Sequence, residues 1–107
     1  MKYTVNQNIT AREALRQIND YAIPNMALFV VDASGKAIGT VSDGDIRRGL
    51  LNELSIQDPL TKFMNTSFRY FVEGENNNEK MQQAKTDNIR FVPMLDKEFC
   101  IRKIIDL

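Results

Sequence analysis

The two halves of the chain carry the same order of residue types, and this internal repeat constrains the fold more than any other feature of the sequence. The matched positions are Thr10 and Asn76, Glu13 and Glu79, Leu15 and Met81, and Val30–Asp32 and Met94–Asp96. From the first pair to the last, the offset falls from 66 to 64 residues, as expected if one turn is two residues shorter. A repeat of this length indicates two copies of one supersecondary unit, neither of which buries its apolar face alone.

The first copy has the pattern of a helix-strand-strand-helix unit. Thr10-x-x-Glu13 has the form of a capping box, and apolar residues follow it at helical spacing until Pro24, before which the helix should end. The later predicted elements are a buried strand over 26–31, a turn at Gly35, a strand over 38–42 and a helix from Asp43 to about Asn52. All of them lie within residues 1–57, the predicted first repeat.

The second copy, residues 58–107, repeats this order less clearly. Asn76-x-x-Glu79 has the form of another capping box, and Asn88 is suited to the left-handed end of the helix that follows. The remaining predicted elements are a short helix over 58–64, a strand over 68–75, and two strands paired around a turn at 96–98. Together the two copies predict one α/β domain, residues 1–107, with a pseudo-twofold axis.

The composition argues against several classes of function. Fourteen basic and fourteen acidic residues cancel, so the overall charge predicts no nucleic-acid partner. The absence of histidine removes the commonest general acid-base and the commonest metal ligand, so we expect no catalytic residues and no metal site. A single cysteine, Cys100, and the lack of an apolar run of about 20 residues predict a cytoplasmic protein with no membrane partner.

The strand that leads into the helix "DIRRGLL" carries the most specific pattern in the sequence. The residues that define it are Val31-Asp32, Gly35, Gly39, Ser42 and Asp45. With the repeat, this pattern resembles a pair of CBS domains, also called a Bateman module. The resemblance implies an α/β fold of tandem CBS repeats, in which small mixed sheets carry helices on one face.

Residues 27–51, "ALFVVDASGKAIGTVSDGDIRRGLL", are most similar to CBS pairs attached to bacterial sugar-phosphate enzymes. In sugar-1-phosphate nucleotidyltransferases, such as those similar to mannose-1-phosphate guanylyltransferase, the pair is N-terminal, whereas in sugar-phosphate isomerases it is C-terminal; a start at Met1 favours the first arrangement. The chain begins at Met1 and stops at Leu107, where the second copy should turn into its last helix. We therefore expect a regulatory fragment, truncated at that helix, whose parent chain carries a C-terminal catalytic domain.

The resemblance also implies roles for individual residues. The carboxylate of Asp45 accepts hydrogen bonds from both ribose hydroxyls, which its two oxygens suit, and Ser42 bonds phosphate or ribose. Gly39 would let a ligand approach the strand, backbone N–H groups from Asp43 onward would favour an anion, and Arg47 would lend charge to a phosphate. These five residues are the predicted site. The predicted ligand is an adenosyl compound: AMP, ADP, ATP or S-adenosylmethionine, with no tightly bound cofactor.

Departures from the family's pattern limit the expected sites to one at most. Aligning the copies places Arg102 at the position of Gly39 and Ile105 at that of Ser42, with the counterpart of Asp45 beyond Leu107. In the first copy Phe29 stands where the family often has proline, and its bulk would fill space that an adenine needs.

The sequence leaves two functions open. The first is a regulatory module that binds an adenosyl nucleotide. The second is a scaffold for a homodimer, in which Ser42-x-x-Asp45 is only a helix cap and the ligand site has decayed. The apolar residues expected to make the dimer contact are Ile46, Leu50 and Leu51.

Overall fold

Two small mixed sheets and three α-helices make up the computed structural model, which describes residues 1–107. The elements in chain order are β1 (Thr4–Asn6), α1 (Ala11–Tyr21), β2 (Ala27–Val31), β3 (Ala37–Ser42), α2 (Asp43–Leu51), a 3₁₀ turn (Leu60–Lys62), β4 (Phe71–Val72), α3 (Asn78–Thr86), β5 (Phe91–Leu95) and β6 (Ile101–Asp106). The strand orders are β1-β2-β3 and β4-β5-β6. In each sheet the first pair of strands is parallel and the second pair is antiparallel, so the predicted tandem α/β repeat is confirmed.

The register of the two hairpins corrects the alignment of the copies by one residue. Ala27 pairs with Ser42 in the first sheet, and Phe91 pairs with Asp106 in the second. Each hairpin also has a register shift, between Val30 and Val31 in one and between Met94 and Leu95 in the other. Both hairpins have the same turn length and the same irregularity. The second hairpin therefore contains as many residues as the first. The counterparts of Gly39 and Ser42 are therefore Lys103 and Asp106, not Arg102 and Ile105.

The two hairpin turns are built alike. Asp32 Oδ1 accepts hydrogen bonds from the backbone of Ser34 and Lys36, at 2.9 and 3.0 Å. Asp96 Oδ1 does the same for Glu98 and Cys100, at 2.9 and 3.0 Å. This repeated Asx geometry explains why both copies keep an aspartate after the inner strand.

A left-handed residue is required in each turn, and the two copies supply different residue types. Gly35 has φ +83° and Phe99 has φ +70°. A left-handed phenylalanine is sterically costly, whereas glycine adopts this conformation freely. The ring of Phe99 packs edge-on against Tyr70 at 4.9 Å and against Phe68 at 6.4 Å between ring centroids. These contacts offset the cost of the strained backbone.

The turns also contact each other. Lys36 and Cys100 form an isolated antiparallel bridge, and the N–H of Ala37 donates to the carbonyl of Phe99 at 2.9 Å. Lys36 and Cys100 occupy equivalent places in the two copies. The hairpins therefore meet turn to turn, near the axis that relates them.

The helix starts differ between the copies. The Thr10 side chain accepts from the backbone of Glu13 and the Glu13 carboxylate accepts from the backbone of Thr10, so the first capping box is confirmed. The second prediction is wrong: α3 begins after Asn77, and Asn76 Oδ1 accepts from the backbone N–H of Asn78 rather than from that of Glu79. The Asn77 amide instead bonds both the N–H and the carbonyl of Val72, which fastens the helix entry to β4.

The strand predicted over 68–75 is shorter in the structure. Only Phe71 and Val72 pair with β5. The residues before them lie outside the sheet, and the rings of Phe68 and Tyr70 pack there against Phe99. Asn88, as predicted, has a left-handed conformation after α3, with φ +59°.

The two hydrophobic cores are unequal. The first contains ten buried residues and the second contains three, Phe71, Ala84 and Val92. Leu60 and Phe63 belong to the first core, although they follow the predicted boundary at residue 57. Ile46 of α2 covers the first sheet, whereas α3 is the only α-helix that packs on the second. The division into residues 1–57 and 58–107 stays a prediction. No helix of the protein has the length and apolar character that spanning a membrane requires.

Candidate ligand-binding site

Ser42 and Asp45 form the N-terminal capping box of α2. Ser42 ends β3 in an extended conformation, and its Oγ accepts from the backbone N–H of Asp45 at 3.2 Å. Asp45 Oδ2 accepts from the backbone N–H of Ser42 at 2.9 Å and from its hydroxyl at 3.0 Å. The interpretation of the motif as a helix cap is therefore confirmed. A ligand bound by this motif would have to use the same side-chain atoms.

The second oxygen of Asp45 is also engaged. Arg48 Nη2 donates to Asp45 Oδ1 at 2.7 Å. The Asp45 side chain is 17% exposed, whereas that of Arg48 is 67% exposed. Because a carboxylate has about four lone-pair positions, three of which are used here, Asp45 has one free position unless Arg48 moves away.

Gly39 has a different role from the predicted one. A Cβ built on Gly39 would lie 2.8 Å from the Met64 sulfur and 3.0 Å from the Asn65 carbonyl oxygen. Asn65 exchanges two backbone hydrogen bonds with Thr40, at 2.9 and 2.8 Å. The space reserved for a ligand next to Gly39 is thus filled by the chain itself, and glycine is required for that close approach.

Asp43 and Arg47 form an ion pair along one face of α2. Their side chains are 56% and 66% exposed, so the contact is open to solvent. Exposed pairs of this kind contribute little to stability, typically about 0.3–0.5 kcal/mol at helical spacing. Arg47 is therefore free to exchange its carboxylate partner for a phosphate at small cost.

A broad groove of about 990 Å³ lies between α1 and α2. Of the predicted site residues, Ser42, Asp43 and Arg47 line it, and Gly39 and Asp45 do not. Arg12 and Arg16 of α1 line it too. These two arginines were not predicted as site residues, because nothing in the local sequence pattern distinguishes them from solvated helix residues.

A second recess, of about 470 Å³, lies between the two sheets. We call this recess the cleft. The first copy contributes residues 25–27, Phe29 and Thr40 to the lining of the cleft. The second copy contributes Asn65 and residues 67–69 and 87–91. Phe29 is 3% exposed, so it forms a packed wall of the cleft. Residues 25 and 26 also line the groove, so groove and cleft adjoin there.

Two ion pairs stand at the second-copy side of the cleft. The Asp87 carboxylate accepts hydrogen bonds from the Arg69 guanidinium and from the Gln83 amide. These two bonds hold the pKa of Asp87 below its ordinary value. Arg90 Nε and Nη2 donate to the two oxygens of Asp106, at 3.1 and 3.4 Å, and this raises the pKa of Arg90. All four residues were missed in the sequence, because each pair joins positions 16 or more residues apart.

The two copies differ chemically at equivalent positions next to the cleft. By the register of the hairpins, Arg90 is the counterpart of Met26 and Asp106 is the counterpart of Ser42. The first copy presents a hydroxyl and a capped carboxylate at this place, whereas the second presents a charge pair. Within residues 58–107, Asp106 stands at the position equivalent to Ser42.

Known proteins were compared with the chain at the level of sequence family and of structure. Residues 2–52 match the sequence model of the CBS domain. No curated protein matches significantly over the sequence. AcuB from Vibrio cholerae has a TM-score of 0.80 at 21% identity, over 96% of this chain and 75% of that chain.

Two further solved structures carry ligands. CBSX2 in complex with AMP has a TM-score of 0.74 at 19% identity, over 96% of this chain and 79% of its own. The CBS domain pair of MJ0100, in complex with 5′-methylthioadenosine and S-adenosyl-L-methionine, has a TM-score of 0.71 at 23% identity. The match covers 96% of this chain and 82% of the MJ0100 chain. Residues 2–52 are thus similar to a CBS domain, and the chain as a whole has the fold of a CBS domain pair.

Proposed function

We propose that this chain is a regulatory module that binds one adenosyl nucleotide in the cleft between its sheets, with the ribose at Ser42 and Asp45. The observation that carries the proposal is the position of the capping box. Ser42 pairs with Ala27, which lines the cleft. The AMP complex of CBSX2 and the S-adenosylmethionine complex of MJ0100, which share this fold, support the choice of ligand class.

Binding requires a local exchange of hydrogen bonds at Asp45. The ribose hydroxyls take the place of the Arg48 guanidinium at Oδ1 while Oδ2 keeps its bonds to Ser42. Because Arg48 is two-thirds exposed, its side chain moves into solvent at little cost. The bound nucleotide is thereby coupled to the N-terminus of α2.

The attached enzyme belongs to the same proposal. The similarity of residues 27–51 to CBS pairs of sugar-1-phosphate nucleotidyltransferases supports a C-terminal catalytic domain of that class in the parent protein, which we place in the cytoplasm. The CBS pair itself performs no chemistry. Regulation then requires that the nucleotide bind two states of the parent protein with different affinity.

A homodimer scaffold is the second candidate, and two exposed leucines favour it. Leu50 and Leu51, at the end of α2, are 40% and 78% exposed. Ile46, expected to share this contact, is instead 1% exposed and packs in the first core, so it is unavailable to a partner. The scaffold would depend on Leu50 and Leu51 alone.

Thermal-shift titration separates the two candidates. AMP, ADP, ATP, GTP and S-adenosylmethionine are added to the wild type, to Asp45→Ala and to Glu13→Ala. Glu13 is a matched control, because it makes the same capping-box bonds at the start of α1 rather than at the start of α2. A ligand at ten times its dissociation constant stabilises the fold by about 1.4 kcal/mol.

We expect an adenosyl ligand to raise the melting temperature of the wild type and of Glu13→Ala, but not of Asp45→Ala. An equal shift in Asp45→Ala would remove the ribose assignment. No shift with any ligand in the wild type would leave the scaffold as the better function.

A further inference from the structure

The groove between α1 and α2 is strongly basic. Four arginines line it, two from each helix: Arg12, Arg16, Arg47 and Arg48. The only acidic residue among its lining residues is Asp43, which pairs with Arg47. A chain with no net charge thus concentrates positive charge on one side of its first repeat.

Arg12 and Arg16 are the unpaired members of this set. They are exposed, and neither takes part in any of the salt bridges or side-chain hydrogen bonds of the structure. At a spacing of four residues they lie on the same face of α1. Two guanidinium groups without a carboxylate partner therefore face the groove together.

The groove adjoins the nucleotide cleft. Asn25 and Met26 line both recesses, and Ser42 lines the groove at the start of α2. A nucleotide whose ribose lies at Ser42 and Asp45 has the arginines of the groove on one side and the cleft on the other.

We infer that the groove receives the phosphate chain of the nucleotide, so that Arg12 and Arg16 make the site prefer a triphosphate to a monophosphate. This inference rests on the proposed function. Guanidinium groups bind phosphate through paired N–H donors, and several are needed to balance the charge of a triphosphate. A volume of about 990 Å³ is ample for such a chain.

A second copy of the chain fits the groove less well. In a symmetric dimer each copy brings the same surface to the contact, so a contact through the groove would bring the arginines of both copies into one interface. Like charges at close range oppose such an association. A small polyanion meets no such opposition.

The test compares the affinities of ATP and AMP by isothermal titration calorimetry, without added metal, in the wild type and in Arg12→Gln/Arg16→Gln. Glutamine keeps the helix propensity of α1. The matched control is Lys85→Gln/Lys97→Gln, which removes the same charge from two exposed lysines outside the groove. Melting temperatures of all three proteins verify that the fold is intact.

We expect wild type and control to bind ATP at least tenfold more tightly than AMP, and the arginine variant to lose that preference while keeping its AMP affinity. The preference should also shrink as the salt concentration rises.

Equal affinities for ATP and AMP in the wild type, or a preference that survives the arginine substitutions, would overturn this inference and leave the proposed function standing. If neither nucleotide binds the wild type, the inference is wrong, and the proposed function fails too unless S-adenosylmethionine or ADP raises the melting temperature in the thermal-shift titration. If the arginine substitutions change only self-association in sedimentation experiments, the groove is a contact between copies and the inference is wrong.

Discussion

Asp106 occupies in the second copy the place that Ser42 occupies in the first. Both residues lie at the end of the outer hairpin strand, opposite Phe91 and Ala27 respectively. Ser42 offers a hydroxyl, whereas Asp106 carries a charge and is held by Arg90 in a two-point ion pair. The pseudo-twofold symmetry of the backbone is therefore broken in the chemistry of the cleft.

One nucleotide per chain is the expected stoichiometry. The carboxylate of Asp106 repels phosphate, and the copy that contains it has no counterpart of the Ser42 and Asp45 capping box within residues 1–107. Calorimetric titration of the wild type should give a single site. A stoichiometry of two would show that the Arg90 and Asp106 pair opens to admit ligand.

Replacing either of two glycines of α2 with alanine should change the free energy of unfolding, but in opposite directions. A Cβ on Gly49 would overlap the buried ring of Phe63 and lie 3.1 Å from Leu54 Cδ1, so Gly49→Ala should cost about 1–3 kcal/mol. A Cβ on Gly44 meets only the exposed guanidinium of Arg48, at 3.2 Å. Gly44→Ala should stabilise the helix by about 0.5–1 kcal/mol. Urea unfolding of both variants checks the signs, and a stabilised Gly49→Ala would contradict the packing of Phe63.

The segment after residue 57 should contribute to the stability of the first copy. Leu60 is fully buried in the core that contains Ile46, so Leu60→Ala should lower the free energy of unfolding by about 2–5 kcal/mol. Leu51→Ala, at a site 78% exposed, should change it by less than about 0.5 kcal/mol. Denaturant titration of both variants makes the comparison. Equal effects would mean that Leu60 is not part of the core.

Acid should weaken the contact between Arg69 and Asp87. The pKa of Asp87 in the folded chain lies below its ordinary value of 3.8, so the ionised form favours folding. Its contribution is complete above that value and disappears as the pH falls through the folded pKa. The difference in melting temperature between wild type and Asp87→Asn should therefore be constant down to about pH 4 and shrink below it.

The control for that experiment is Glu98→Gln, an exposed acid without a salt bridge. The difference in melting temperature between Glu98→Gln and the wild type should not show the same dependence on pH. A difference for Asp87→Asn that is independent of pH would show that the pair with Arg69 does not persist in solution.

Much of the fold was predictable because the signals are local. The Thr10 and Glu13 capping box, the left-handed Gly35 and the short apolar strand before it each depend on a few neighbouring residues. The start of α3 was not predictable, since the Asn77 amide bonds β4 rather than the helix. That choice is decided by a tertiary contact, which the spacing of Asn76 and Glu79 does not reveal.

The candidate site was predictable only in part. The spacing of Ser42 and Asp45 correctly indicated a capped helix after a strand. Gly39 was misassigned because the Met64 and Asn65 segment that covers it lies 25 residues further along the chain. The one-residue error in placing Asp106 has a similar cause: strand register is set by backbone pairing, and a slip of one position moves every side chain to the opposite face.

The contact between the hairpin turns has a mechanical consequence. Lys36 and Cys100 hold the turns together at one end of the hairpins, while Ser42 and Asp106 lie at the other. Hairpin strands of about six residues make lever arms of roughly 20 Å. A rotation of about 6° around the joined turns therefore displaces the far ends by roughly 2 Å. If the hairpins rotate about the joined turns, the displacement is largest at the far ends of the strands, where α2 begins.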